Sequence, residues 1–389
     1  MIPVNARALF SPEAIHSPYP IFDELRPLSP FPAGTDANGR EQTWCLLRHE
    51  DVYGALRDHT VFSSSSPQGP GGFRLPLIQD DPPRHMRFRR LVMSAFTPRR
   101  VAELQPWIDR LSNELLDQLP SGETEIVADY TIPLPVKVIA NLLGIPGEDY
   151  LTFKKWTDAL LSFDPDSIGE KWQDLMAMAT YFGQMAAKRR LEPGGDLISA
   201  LVEAEVEGEK LTEMEVLGFC VLLLAAGNET TTNLLGNALN ILAHRPDLWQ
   251  QLENDPRLIE SFIEETLRLE SPVQQLFRRT LRDVEVHGVT IPENSSVNVF
   301  FGAANRDPEA WVEPNEFRLD RDLHNHVAFG MGIHYCLGAP LARAEAKTTL
   351  ANLVRRYRAI EPGSRPGERQ TASPIVYGFR ELPVRLIPR

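Results

Sequence analysis

The sequence predicts a mainly α-helical protein with a small β portion. From Pro83 to about Leu267 the apolar residues recur at helical spacing, and the helical segments are separated by proline and glycine. Strand-like segments return at 280–289, 296–301 and 373–387. The apolar share of 42% is ordinary for a chain that buries a large core. Because no linker or internal repeat interrupts the 389 residues, we expect one domain spanning residues 1–389.

The segments ahead of the helical body mix helix and strand. A short helix is predicted at 20–25, a strand at 42–47 and a second helix at 49–56. Residues 63–72 are rich in serine, glycine and proline and lead into Phe73-Arg74-Leu75. Apolar side chains on such a loop indicate a lid that faces a ligand.

The charge pattern and the cysteines restrict the class of protein. A formal charge of −13 argues against nucleic acid as a general partner. The N-terminus carries no signal-peptide core, and the longest apolar run, 216–227, is too short to cross a bilayer. Cys45, Cys220 and Cys336 lie far apart with no CxxC spacing. We therefore expect a cytoplasmic protein without disulfides and without membrane association.

A long central helix is predicted between a capping box, Thr212–Glu215, and a stop at Arg245-Pro246. About 30 residues at 1.5 Å each give a helix roughly 45–50 Å long. Its interior contains Ala226-Gly227-Asn228-Glu229-Thr230-Thr231-Thr232, in which glycine and consecutive threonines are poor helix formers. We expect the helix to open locally here for a functional reason. The alternative is an unopened kink in which threonine hydroxyls bond back to the preceding turn.

The interruption pairs a carboxylate, Glu229, with an alcohol, Thr230. Such a pair, placed in a buried helix, can hold water and move protons. Glu229 would relay protons and Thr230 would hydrogen-bond a bound oxygen species.

Two further pairs of ionisable residues each lie on one face of a predicted helix. Glu265 and Arg268 are spaced i, i+3 on a helix predicted to start at Asp255-Pro256, where an ordinary exposed pair is the simpler interpretation. His85 and Arg89 are spaced i, i+4 and either bind a carboxylate or form a solvated basic face.

The most informative segment is Phe329-Gly330-Met331-Gly332-Ile333-His334-Tyr335-Cys336-Leu337-Gly338, which directly precedes a helix predicted from Ala339 to about Tyr357. The glycines allow sharp turns and a close approach of the backbone to a flat ligand. A thiolate at a helix start is favoured by free backbone N–H groups and by the helix dipole. Such a thiolate can be the axial ligand of a haem iron.

Together these motifs make the chain resemble the bacterial soluble cytochrome P450 haem-thiolate monooxygenases. The family's Phe-x-x-Gly-x-His-x-Cys-x-Gly signature is matched by Phe329, Gly332, His334, Cys336 and Gly338. Its Ala-Gly-x-acid-Thr motif is matched by Ala226, Gly227, Glu229 and Thr230, with Asn228 where relatives often carry histidine. The resemblance implies the triangular, mainly α fold of that family.

The resemblance also implies roles for individual residues. It implies that Cys336 ligates the iron of haem b, that His85, Arg89, Arg278 and His334 bind the haem propionates, and that Ala226, Phe329 and Gly338 contact the haem. Glu265 and Arg268 fall on the family's Glu-x-x-Arg motif and would form a buried structural network with Arg321. Asn305-Arg306-Asp307-Pro308 is another stretch similar to the family.

The implied activity is insertion of one oxygen atom from O2 into a small hydrophobic substrate. Electrons would come from NAD(P)H through a separate ferredoxin and its reductase, and the enzyme would be a monomer. A peroxide-driven peroxygenase and a non-catalytic haem-thiolate sensor or electron carrier are the alternatives. Candidate pocket residues are apolar, although ordinary core packing explains each leucine equally well; they are Phe73, Leu75, Leu222, Ala225, Leu276, Ile375 and Val376.

Overall fold

The computed structural model describes residues 6–35, 41–65, 74–162, 168–206 and 209–389. It is mostly helical with small sheets, which confirms the predicted fold class. The helices are α1 (Pro12–His16), α2 (Tyr19–Leu25), α3 (His49–Arg57), α4 (Arg84–Met93), α5 (Pro98–Asp117), α6 (Pro133–Leu143), α7 (Tyr150–Leu161), α8 (Ile168–Leu191), α9 (Leu197–Glu203), α10 (Glu213–His244), α11 (Pro246–Asn254), α12 (Leu258–Leu269), α13 (Phe301–Ala304) and α14 (Ala339–Arg356).

The strands are short and concentrate near the two ends of the chain. They are β1 (Phe31–Thr35), β2 (Glu41–Leu46), β3 (Phe62–Ser63), β4 (Glu123–Glu125), β5 (Glu205–Val206), β6 (Glu209–Lys210), β7 (Gln275–Thr280), β8 (Val284–Val286), β9 (Val289–Ile291), β10 (Ser296–Phe300), β11 (Tyr357–Pro362), β12 (Glu368–Arg369), β13 (Phe379–Glu381) and β14 (Pro383–Pro388).

The chain forms two compact units. The first consists of Met1–Ser66, Ser261–Cys336 and Arg369–Tyr377, and the second of Pro67–Glu260, Leu337–Glu368 and Gly378–Arg389. The single domain spanning residues 1–389 stays a prediction.

The first unit is built on a five-stranded sheet in the order β1-β2-β10-β7-β3. Strand β10 runs parallel to β2 and antiparallel to β7. One face of this sheet packs on α3 through apolar residues that include Trp44, Val52, Leu56 and Val299. The hairpin β8–β9 packs against the same cluster.

The second unit is organised around α10, which contacts α6, α7, α8 and α14. The predicted capping box is present, because the Thr212 side chain accepts from the Glu215 backbone and Glu215 accepts from the Thr212 backbone. The predicted local opening is wrong, since α10 is one continuous helix from Glu213 to His244. Packing on several sides stabilises poor helix formers that would fray in isolation.

Two predicted boundaries also differ from the structure. Helix α12 begins at Leu258 rather than at Asp255, whose carboxylate instead accepts from the Arg257 backbone N–H in a turn. The strand expected at 280–289 is divided, because His287 and Gly288 adopt positive φ angles of 48° and 74° and form the turn of a hairpin.

Among the described residues, α10 is the one helix that is long and apolar enough to cross a membrane. However, 61% of its most apolar window is buried inside the protein, as expected for the central helix of a core.

Candidate functional site

The loop that carries Cys336 has the backbone geometry that its glycines predict. Gly330 and Gly332 adopt left-handed φ angles of 68° and 67°, which other residues rarely tolerate. A side chain at position 332 would meet the Leu56 carbonyl oxygen at 2.9 Å from its Cβ. The Cys336 N–H donates to the Phe329 carbonyl oxygen at 2.9 Å, which closes the loop just before α14.

The three cysteines differ in their exposure. Cys45 and Cys220 are fully buried, and burial raises the pKa of both thiols, that of Cys220 to about 12. Cys336 is only half-buried. A buried neutral thiol is inert, whereas an accessible one at a helix start can bind metal as a thiolate. Of the three, Cys336 alone fits an iron ligand.

One face of α10 is accessible although the helix is otherwise buried. Leu222 and Thr230 are half-buried and Ala226 between them is exposed, at successive i, i+4 positions. The residues on the other faces, including Leu224, Asn228 and Thr231, are buried. The accessible stripe is therefore narrow, largely apolar and made of small side chains, which suits close contact with a flat ring system.

The hydroxyl of Thr230 donates to the Ala226 carbonyl oxygen at 2.8 Å. This is the back-bonding that the sequence offered as the alternative to an opened helix. It leaves the oxygen of the hydroxyl available as an acceptor on the accessible stripe.

Glu229 points into a polar cluster between α10 and α7. Its carboxylate lies 3.0 Å from the Lys154 ammonium and accepts from the Asn233 amide at 3.2 Å, while Glu229 is only 7% exposed. Lys154 also pairs with Asp158. Burial acts to lower the pKa of Lys154, but the carboxylates of Glu229 and Asp158 outweigh it, and the net direction is upward. Lys154 is therefore charged throughout the neutral range.

No sequence motif indicated Lys154. The available signal was its i, i+4 spacing to Asp158 in a helix, but such pairs are common on exposed surfaces. Its partner Glu229 is 75 positions away along the chain, so only the packing of α7 on α10 brings the two together.

Asn228 makes hydrogen bonds inside the protein. It is fully buried, its amide donates to the Thr157 hydroxyl at 3.3 Å, and its carbonyl oxygen accepts from Thr232 at 3.4 Å. Asn228 thus links α10 to α7 beside the Glu229–Lys154 pair.

The predicted propionate partners are divided between the two units. His85 and Arg89 share one face of α4 in the second unit, where His85 is fully buried and Arg89 half-buried. Arg278, on β7 of the first unit, is 6% exposed and donates to the Phe277 carbonyl oxygen at 2.8 Å. His334 lies in the short 3-10 turn before Cys336 in the same unit.

Glu265, Arg268 and Arg321 form an ion network in the first unit. The carboxylate of Glu265 accepts from Arg268 at 2.7 and 2.8 Å and from the Arg321 Nε at 3.2 Å. It also accepts from the Arg318 backbone N–H at 3.0 Å. Glu265 and Arg268 are fully buried, so this is not the exposed helix pair that spacing alone favours.

The side chains at 305–307, within the stretch that is similar to the family, form hydrogen bonds with other elements of the first unit. The Asn305 side chain accepts from the Val327 N–H and donates to Ser271, and the Asp307 carboxylate accepts from the His49 N–H. Arg306 bonds the Leu269 carbonyl oxygen and pairs with Glu270.

The predicted pocket residues differ in their burial, and they belong to both units. Phe73 lies outside the described residues. In the second unit Leu75 and Leu222 are half-buried, while Ala225 is buried next to the accessible stripe. In the first unit Leu276 packs against the apolar cluster under the sheet, and Val376 is buried and pairs with Val273. Ile375, which precedes Val376, accepts from the Gln274 N–H.

A cavity of about 780 Å³ in the first unit contains none of these pocket residues. It is open, and it is lined by both signs of charge around Trp311 and Val312; its walls include His49, Asp307, Arg318 and Arg321. A mixed-charge surface of this kind does not suit a small apolar substrate.

The chain is similar to known proteins over most of its length. A family model described as cytochrome P450 matches residues 150–385. Cytochrome P450 109 of Bacillus spizizenii is 38% identical over 96% of this chain and 94% of its own length. Erythromycin C-12 hydroxylase of Saccharopolyspora erythraea is 37% identical over 89% of each chain. The crystal structure of CYP109E1 from Bacillus megaterium with testosterone has a TM-score of 0.88 at 37% identity, covering 96% of this chain and 99% of the other.

Proposed function

The chain belongs to the cytochrome P450 family of monooxygenases, and from this premise we propose that it hydroxylates a small hydrophobic substrate with O2 and electrons delivered by a separate ferredoxin. The observation that carries the dioxygen-dependent part is the Glu229–Thr230 pair on α10. The carboxylate is ion-paired inside the protein, and the alcohol next to it is on the accessible stripe.

The donor set fits a haem b group. Cys336 would ligate the iron as thiolate, and His85, Arg89, Arg278 and His334 would bind the two propionates through charge-assisted hydrogen bonds. Ala226, Phe329 and Gly338 would contact the ring, which requires small or flat neighbours. When bound, a haem thiolate supplies the activation of dioxygen for insertion of one oxygen atom.

Thr230 and Glu229 would divide the handling of protons. The Thr230 hydroxyl donates its hydrogen bond to the Ala226 carbonyl oxygen, so its oxygen can accept a hydrogen bond from a water on the accessible stripe. The Lys154 ammonium fixes the Glu229 carboxylate at the α7 side of the helix. Glu229 would take up a proton that enters from solvent through the polar cluster, pass it to that water, and return to the carboxylate that Lys154 stabilises.

The substrate would contact Leu222, Ala225 and the loop that contains Phe73 and Leu75, with Leu276, Ile375 and Val376 as further candidates. One relative is named for hydroxylation of erythromycin, which is a macrolide. Another is solved with testosterone, a compact and mostly apolar steroid that supports a hydrophobic substrate. We propose a substrate of that general kind, a polycyclic or terpenoid hydrocarbon skeleton with few polar groups.

The remaining parts of the proposal concern partners. Electrons would pass from NAD(P)H through a ferredoxin reductase and a ferredoxin. The enzyme would act as a cytoplasmic monomer, without nucleic acid or membrane as a partner.

The alternative of a peroxide-driven peroxygenase would need no proton delivery from Glu229. A non-catalytic haem-thiolate sensor would need neither the proton path nor an accessible apolar stripe beside it. The Glu229–Thr230 pair therefore favours the monooxygenase.

The test uses haem-loaded protein with ferredoxin, reductase and NADH. Steroids, macrolides and terpenoids are first screened for a shift of the haem Soret band, and the best ligand is then assayed for product per NADH consumed. Product that appears only with added hydrogen peroxide would identify a peroxygenase. Ligand binding without product under either condition would identify a sensor.

A matched pair of variants connects the assay to the site. Thr230→Ser retains the hydroxyl and should retain coupling of NADH to product, whereas Thr230→Ala should lose it. Equal coupling in the two variants would contradict the proposed role of the hydroxyl.

A further inference from the structure

Two separate elements of the first unit bring three metal-binding side chains together. Glu50 and Asp51 lie in the first turn of α3, and His287 lies in the turn of the β8–β9 hairpin. The elements are more than 230 positions apart along the chain, so no local motif predicts the cluster. Nothing in the proposed monooxygenase function uses it.

The donor atoms have the spacing of a coordination site. The Nε2 atom of His287 lies 3.0 Å from Asp51 Oδ1 and 3.2 Å from Glu50 Oε1. All three ligand atoms lie within 4.8 Å of one another. With zinc–ligand bonds of 2.0–2.1 Å, the edge of a tetrahedral site is about 3.3–3.4 Å, so small side-chain movements suffice.

One carboxylate oxygen of Asp51 is buried and is not satisfied by the contacts within the cluster. Its side chain is only 6% exposed, yet its second oxygen, Oδ2, has no hydrogen-bond partner among the described residues. A buried carboxylate oxygen without a partner is costly, and a cation would satisfy it. Glu50 and His287 are 67% and 35% exposed, so an ion has a path from solvent.

The supporting elements are held in place by the apolar core. Val52, directly after Asp51, is fully buried in the cluster under the sheet. Val284, Val286 and Val289 of the hairpin pack against the same cluster. The backbone positions of the three donor residues are therefore set by packing before any ligand binds, which lowers the entropic cost of binding.

We propose that Glu50, Asp51 and His287 bind one Zn²⁺ ion, with water as the fourth ligand, and so tie the β8–β9 hairpin to the start of α3. One imidazole and two carboxylates form a mixed nitrogen and oxygen donor set that zinc accepts in tetrahedral geometry. The two carboxylates neutralise the charge of the ion. The nearby Arg48 guanidinium is directed to the Pro27 carbonyl oxygen at 2.9 Å.

The competing interpretation is a plain ion pair between protonated His287 and the two carboxylates. The two interpretations differ in their response to zinc. A proton and a zinc ion compete for the same Nε2 atom, so zinc binding requires neutral imidazole.

The test measures zinc binding to the haem-loaded protein, in which the Cys336 thiol is occupied by iron. Competition with a chromophoric chelator gives the stoichiometry and Kd, and metal analysis after gel filtration gives retained zinc. We expect one zinc per chain and a higher melting temperature with zinc.

His287→Asn is the informative variant, because asparagine tolerates the left-handed φ of 48° and forms a favourable turn with Gly288. Zinc binding should weaken at least about tenfold, since loss of even an indirect partner of a metal ligand typically costs 10–100-fold. His324→Gln is the matched control: His324 is 95% exposed and 3.9 Å from Asp322, and its loss should leave zinc binding unchanged.

Asp51→Asn is a second variant that preserves shape and should also lose the zinc. The proposal is overturned if the wild type retains no zinc, or if His287→Asn and Asp51→Asn bind it as tightly as the wild type. A loss of stability in His287→Asn that is the same with and without zinc would establish the plain ion pair instead.

Discussion

Replacement of Glu265 by alanine should destabilise the protein severely. The Glu265 carboxylate accepts four hydrogen bonds, two from Arg268, one from Arg321 and one from the Arg318 backbone. Both Glu265 and Arg268 are fully buried. In Glu265→Ala the Arg268 guanidinium would remain in the interior without an opposite charge.

The expected loss of stability depends on which hydrogen bonds Arg268 keeps in the Glu265→Ala variant. Three of its bonds go to carbonyl oxygens of Asn305, Pro314 and Glu316, at 2.7, 2.7 and 3.1 Å, and these survive the substitution. They solvate the charge but do not neutralise it. Breaking a buried pair typically costs about 3–5 kcal/mol, which corresponds to a roughly 100- to 5000-fold lower ratio of folded to unfolded protein. Because Arg321 also loses its carboxylate partner, we expect the upper half of this range.

The assay is the free energy of unfolding from denaturant titration, together with the fraction of purified protein that contains haem. Glu103→Ala is the control, since Glu103 pairs with Arg99 and Arg100 on the exposed surface of α5 and its loss should change stability little. We expect Glu265→Ala to be largely misfolded or haem-free. A fully haem-loaded variant that loses no more stability than Glu103→Ala would refute the reasoning.

Four further predictions address the thiolate, the proton path, electron transfer and a buried acid. Cys336→His should abolish the strongly red-shifted Soret band of the reduced carbon monoxide complex, and persistence of that band would rule out the cysteine ligand. Thr230→Ala should still bind haem and consume NADH but should release much of the reducing power as hydrogen peroxide, measured as peroxide per NADH; unchanged coupling would reject the role. Arg87→Glu should slow the first electron transfer at low salt, because we expect an acidic ferredoxin to dock on the basic start of α4, which carries Arg84, Arg87 and Arg90; the same reversal at Arg99 on α5 is the control, and equal rates in both variants would place the docking site elsewhere. Burial raises the pKa of Glu345 well above its usual value. The unfolded state loses this proton above about pH 4.3, whereas the folded state keeps it up to its higher pKa. The free energy of unfolding therefore falls as the pH rises between these two values. Glu345→Gln should remove this pH-dependent loss of stability. The melting temperature of the variant minus that of the wild type should therefore be larger at pH 8 than at pH 5. A difference that is the same at both pH values would contradict the raised pKa of Glu345.

Local patterns along the chain were sufficient to predict much of the fold. The capping box at Thr212–Glu215 and the stop at Arg245 gave the bounds of α10 to within a residue, because both signals act through the backbone of the helix itself. The glycines around Cys336 predicted a sharply turned loop, and Gly330 and Gly332 have the positive φ angles that only glycine adopts easily.

Local patterns failed where tertiary packing outweighs intrinsic preference. Residues 226–232 are poor helix formers, and the sequence allowed either a functional opening or a back-bonded kink, yet α10 is continuous because its neighbours bury it on most sides. The i, i+3 spacing of Glu265 and Arg268 is the same for an exposed pair as for a buried one, so only the structure reveals the burial.

The sequence by itself determined the family, the helical framework and the position of the thiol, because each depends on residues that are close together along the chain. Only the tertiary structure decided which charges meet. Lys154 reaches Glu229 through the packing of α7 on α10, and His287 reaches Asp51 through the packing of a hairpin beside α3. Spacing along a helix or strand constrains neighbours within a few residues, whereas contacts between distant elements depend on how whole apolar faces are buried against one another.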